Sequence, residues 1–112
     1  MDERLAPGLE VSAFIRSAEQ AGGVGTVLQK GDPQRGSILV QVTCRGSHKG
    51  FLDRSLQSGG GYKWQLCGPQ TDEPERVAQY LGQRQRSDPD CWIIELDIPA
   101  AERFIAETTA EG

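Results

Sequence analysis

Apolar positions recur along this chain in two rhythms. Val11, Phe14, Ile15 and Ala18 fall at helical spacing with Arg16, Glu19 and Gln20 opposite, the pattern of a helix that buries one stripe. Leu9, Val11, Ala13 and Ile15 also alternate, so residues 9–15 read either as helix or as a short strand leading into one. Gly22-Gly23 ends the segment in both cases, because glycine accepts the left-handed geometry past a helix end.

The rhythm then changes to alternation. Residues 24–29 and 37–44 flank the connector Lys30-Gly31-Asp32-Pro33-Gln34-Arg35-Gly36, and in the second run Ile38, Val40, Val42 and Cys44 share a side opposite Gln41 and Thr43. The two are expected to form an antiparallel pair. Residues 50–57 and 61–67 flank Ser58-Gly59-Gly60-Gly61 as a second hairpin, with Tyr62, Trp64 and Leu66 on one face. Thr71 or Asp72 then caps a helix with Pro74 in its first turn and a narrow stripe of Val77, Ala78 and Leu81. Asp88-Pro89 stops it, since the proline ring disfavours helical geometry for the residue before it.

Cys91 to Ile94 are consecutive apolar residues, too few for a helix, which predicts a strand covered on both faces. Beyond them Trp92, Ile94, Leu96 and Ile98 alternate with Glu95 and Asp97, and Pro99 opens a last helix carrying Ala101, Phe104 and Ile105. The predicted fold is α+β: a mainly antiparallel sheet of about five strands with two to three helices in the order α-β-β-β-β-α-β-α, assembled in two layers. Residues 1–112 read as a single domain, with 1–8 a flexible lead-in and 108–112 a frayed tail.

Charge adds one asymmetry. Acidic and basic residues balance up to Asp90, and beyond it Arg103 alone faces Glu95, Asp97, Glu102, Glu107 and Glu111, so the net charge of −4 belongs to that end. Such a balance disfavours nucleic acid as a partner. There is no apolar run long enough for a membrane span and no apolar core of a signal peptide at the N-terminus, so a cytoplasmic location is expected.

Candidate chemistry is sparse. Cys44, His48, Cys67 and Cys91 lack the close spacing of a metal knuckle; the cysteines read as small buried hydrophobes and His48 as a solvated loop residue, with no metal and no cofactor expected. The 30–36 loop lacks the Gly-Lys-Ser/Thr ending and following helix of a phosphate loop, and reads as a structured turn. Pro89-Asp90 with Glu95 is similar to a nuclease metal core, but Asp97 stands where a lysine is needed. Arg84 or Arg86 is expected to pair with Asp88. Trp92 reads as core; Trp64, beside Lys63 and Gln65, reads as core or as a groove wall.

Gly22-Gly23, Lys30-Gly31-Asp32-Pro33 with Gly36, Tyr62-x-Trp64 and above all Asp88-Pro89-Asp90-x-Trp92-x-x-Glu95 resemble a family of short bacterial proteins catalogued as domain of unknown function 1491. That resemblance covers nearly the whole chain, departs mildly at Cys91, and implies no reaction.

The residues themselves support a small non-enzymatic binding or protein-interaction module. Its candidate surface comprises Asp32, Trp64, Arg84, Arg86, Asp88, Asp90 and Glu95, its partner a protein or a second copy, and no small-molecule ligand is identified. An exposed sheet edge, such as residues 38–44 left unpaired, would mark that role. The competing reading is a small hydrolase or transferase using Asp32, Asp90 and Glu95, which requires two of these carboxylates in one concave site and one pKa raised by burial.

Overall fold

The computed structural model describes residues 6–110, in the order α1 (Pro7–Gln20), β1 (Val24–Gln29), β2 (Ile38–Cys44), β3 (Ser47–Leu56), β4 (Tyr62–Cys67), α2 (Pro74–Ser87), β5 (Trp92–Asp97) and α3 (Ala101–Thr109). The α+β class and this element order agree with the reading of the sequence. The ambiguity over residues 9–15 resolves as helix, which starts already at Pro7, where a proline costs no intrahelical hydrogen bond. Most of the expected lead-in, residues 1–5, lies outside the described residues, as do residues 111 and 112 of the expected tail.

The sheet runs β1-β5-β2-β3-β4. β5 lies antiparallel to β1 and parallel to β2, so the expected β1–β2 hairpin does not form. The physical reason lies in β5 itself. Ile93 and Ile94 point to opposite faces and are both fully buried, which stabilises the fold by about 1.5–3 kcal/mol per side chain and is achievable only away from a sheet margin. β1, with Gly25 and few buried side chains, takes the edge instead. Residues 38–44, considered above as a free edge, form the central strand, buried from Ile38 to Thr43.

Helices cover both faces, giving three layers rather than two. On one side Val11, Ala18 and Ala101, from α1 and α3, pack on Ile38, Val40, Val42, Leu52, Trp92, Ile94 and Leu96. On the other, Val77, Tyr80 and Leu81 of α2 pack on Leu39, Phe51, Cys91 and Ile93. Trp92 is 7% exposed, in agreement with a core role.

The β2–β3 connection also differs from expectation. Arg45 and Gly46 have φ of 53° and 84°, and Cys44 pairs with Ser47; positive φ at both central residues makes this a two-residue hairpin turn. Asp97 stabilises it, its carboxylate accepting the Arg45 N–H at 2.8 Å and the Gly46 N–H at 2.9 Å. β3 therefore begins at Ser47, and His48 is a strand residue only 4% exposed, not a solvated loop histidine. Its ring contacts Phe51 at 4.6 Å between centroids, with Nδ1 3.0 Å from Gln41 Nε2 and Nε2 2.8 Å from the Pro69 carbonyl.

Candidate functional site

The turn that ends α2 and the 30–36 loop interlock. The Asp32 N–H donates to the Asp90 carbonyl at 2.9 Å, and the Asp32 carbonyl accepts the Trp92 indole N–H at 2.9 Å and the Gly36 N–H at 3.1 Å. Ser37 donates its hydroxyl to Asp88 Oδ2 at 3.1 Å, and Gln29 donates its amide to the Cys91 carbonyl at 2.7 Å. Gly31 and Gly36 make the approach feasible, because a Cβ on either would collide with the Asp90 carbonyl oxygen. Asp32 bonds the amides of Gln34 and Arg35 at 2.8 and 3.0 Å, which hold its carboxyl below the usual range. The glycines, acids and tryptophan of this motif thus act together as a fastening between loop and strand.

Of the candidate surface residues, Asp32, Asp88 and Asp90 gather in this fastening, Asp90 through its backbone. The others lie elsewhere. Arg84 turns to the sheet, donating to the Tyr80 hydroxyl at 2.9 Å and to Asp53 at 3.3 Å. The expected Arg84–Asp88 pair gives way because the phenol and the Asp53 carboxylate offer a half-buried site, whereas Asp88 is engaged by Ser37. Burial opposes the charge of Arg84, but its bond to Tyr80 and the nearby Tyr80, Cys91 and Asp53 groups together outweigh this and leave the pKa above its ordinary value. Burial also pushes the neighbouring Cys67 thiol up and the Tyr80 phenol to about 12. Arg86 is exposed.

Trp64 lies on the opposite face of β4, half-buried, edge-to-face with Phe14 at 5.4 Å and under the Arg54 guanidinium at 5.0 Å. Arg54 in turn holds Glu10 through two bonds of 2.7 and 2.8 Å. The indole forms part of the rim of the α1/α3 core. Glu95 lies on β5 apart from the other candidate residues, where its Oε2 accepts the Thr43 hydroxyl at 2.9 Å. Among the described residues no three His, Cys, Asp or Glu side chains group as a metal set, and no helix is long and apolar enough to cross a membrane.

A surface that sequence reasoning missed lies at the β1 edge. Val24 to Val27 pair regularly with β5 on one side, and a bulge between Val27 and Gln29 ends that register. On the other side no described strand pairs with them. Val24, Val27 and Leu28 are 61%, 42% and 38% exposed. Beside this edge a cleft of about 520 Å³ is lined by Val24, Thr26, Arg45, Glu95, Asp97 and Pro99 among others. The signal that could have located it was the apolar run of Cys91–Ile94, whose demand for an inner position pushes β1 outward.

The family model described as a protein of unknown function (DUF1491) matches residues 5–106. The chain belongs to the DUF1491 family. An NMR structure of a DUF1491 protein from Caulobacter crescentus CB15 is 31% identical, with a TM-score of 0.75 over 87% of this chain and 88% of that one. A crystal structure of a DUF1491 protein from the same bacterium is 32% identical, with a TM-score of 0.72 over 82% and 86%. The solution structure of an A. tumefaciens protein is 28% identical, with a TM-score of 0.66 over 84% and 86%. No curated protein matches. The resemblance carried by the 30–36 and 88–95 motifs is therefore borne out, and in this DUF1491 chain those motifs meet in space as the fastening described above.

Proposed function

We propose that this protein is a small non-enzymatic interaction module that receives an extended segment of a partner along the outer edge of β1. The observation that carries this is a strand with an open hydrogen-bonding edge, exposed Val24 and Val27, and no charged residue or proline from Val24 to Gln29. Sheet margins are ordinarily protected against pairing by charges or proline, and this one carries neither. The bulge limits the regular segment to about four residues, roughly 13 Å long, which suits a weak and reversible partner. The hydrolase reading has less support. Asp32 is held below the ordinary carboxylate range, opposite to what a general acid needs, and Glu95 is engaged with Thr43 in a different part of the molecule.

The test is selection from a random peptide library followed by mapping of backbone amide shifts. The reading expects binders that shift residues 24–27 and that lose affinity for Val27→Lys at unchanged circular dichroism. Selected binders that all map elsewhere would refute it.

A further inference from the structure

We infer that the segment received by β1 carries a lysine or arginine on the face it shares with Thr26, paired there with Glu95; this rests on the edge reading above. Thr26 stands in register with Glu95, and Val24 with Asp97, across the β1–β5 ladder. Residues in register project to one face, so these side chains line the same side of the sheet, away from Ile94 and Leu96. α2 leaves that end of the face open, since it packs on Leu39, Phe51, Cys91 and Ile93.

The two carboxylates there are not equivalent. Asp97 is occupied with both amides of the Arg45-Gly46 turn. Glu95 accepts one bond, from Thr43 to Oε2, and its Oε1 has no hydrogen bond or ion pair among the described residues. No buried side-chain oxygen among them lacks a partner, so Oε1 is open to the cleft. Arg45, on the same cleft, is exposed and forms no ion pair with Glu95.

Distance selects the ligand. A strand added outside β1 lies about 5 Å from it and about 10 Å from β5. Across that span a short polar side chain fails to meet Glu95, while the long aliphatic stems of lysine and arginine lie over Thr26 and deliver their charge to it. The acidic excess after Asp90 favours the same sign of partner at longer range. On the other face, exposed Val27 and half-buried Ile15 above Gly25 favour an apolar neighbour, so the partner alternates basic and apolar residues. A second copy meeting this edge with its own β1 is a poorer occupant, because residues 24–29 contain no lysine or arginine to offer Glu95.

The experiment uses fluorescent alternating Thr/Val peptides whose central residue is Lys, Arg, Gln or Glu. Binding is read by anisotropy against the full-length protein, Glu95→Gln, and an edge-blocked variant. Of Thr26→Pro and Val27→Pro, the one that keeps the wild-type melting temperature removes an outward-facing N–H; amide shifts on the unmodified protein provide the same reading should neither fold. The Lys and Arg peptides should bind about fivefold tighter than the Gln peptide, the preference should vanish in Glu95→Gln while Gln-peptide affinity stays, and the blocked edge should bind none of them. A basic preference that persists in Glu95→Gln overturns this inference and leaves the edge reading intact. A panel in which no peptide shifts a β1 amide overturns both, and a dimer by light scattering that the peptides do not dissociate gives the edge to a second copy instead.

Discussion

Replacing Gly31 by alanine adds one methyl group where the chain leaves no room. The new Cβ would collide with the Asp90 carbonyl oxygen and lie 2.6 Å from the Trp92 nitrogen and 2.7 Å from the Cys91 carbonyl carbon. All three are backbone atoms at the start of β5, an inner strand, so they cannot swing aside as a flexible side chain would. Gly31 is not among the residues with positive φ, so crowding rather than backbone conformation sets the cost. Overpacking against an unyielding neighbour costs about 1–3 kcal/mol. If the loop lifts instead, it loses the bonds from Asp32 N–H to Asp90 and from the Trp92 indole to Asp32, worth about 1 kcal/mol each. The two routes together bracket a destabilisation of about 1–3 kcal/mol, centred near the roughly 2 kcal/mol that lowers the melting temperature by about 10 °C. Gly59→Ala is the matched control: its Cβ meets nothing within 4 Å and its φ is not positive. It should be neutral or stabilising by up to about 1 kcal/mol, through reduced freedom of the unfolded chain. Urea and thermal unfolding followed by circular dichroism measure both. A Gly31→Ala protein within about 0.5 kcal/mol of wild type would refute the fastening as described.

Two further outcomes follow from the helix contacts. Glu10→Ala should cost about 2–3 kcal/mol in urea unfolding, because it strands the half-buried Arg54 charge over Trp64, whereas replacing both partners by methionine should cost less than that single change. Tyr80, raised by burial to about 12, favours the folded state while protonated; that contribution is complete below the unfolded value near pH 10 and is lost as pH climbs toward 12. Absorbance titration should show one phenol ionising late, and Tyr80→Phe should remove that part of the alkaline fall in stability.

The elements were legible because periodicity and punctuation are local. Helical spacing in α1, alternation in β2 and the Asp88-Pro89 stop each need only a few neighbours in sequence. Strand order was less accessible, since β1 pairs with β5 across most of the chain and adjacency in sequence suggested β2. The clue was present in Cys91–Ile94, which require an inner position, but it becomes decisive only once the other strands compete for that place. His48 escaped because Arg45 at positive φ depends on Asp97, some fifty residues on, to hold its turn. Arg84 escaped for a related reason: i,i+4 spacing identifies Asp88 as a neighbour, but the better partners, Asp53 and Tyr80, are set by how α2 lies on the sheet. For the candidate site, the cluster around Asp32, Asp88 and Asp90 was visible as a motif, whereas the open margin of β1 exists only through strand order.

The position of β5 carries a consequence for how the molecule is made. Because β1 touches the rest of the sheet through β5, that strand has no ladder to join until β5, which follows it only after three further strands and a helix, has left the ribosome. A nascent polypeptide halted before Cys91 can assemble the β2–β3–β4 meander and offer it to α1 through Arg54 and Trp64, but β1 must wait unpaired, and completion of the sheet is gated by the arrival of a single late strand.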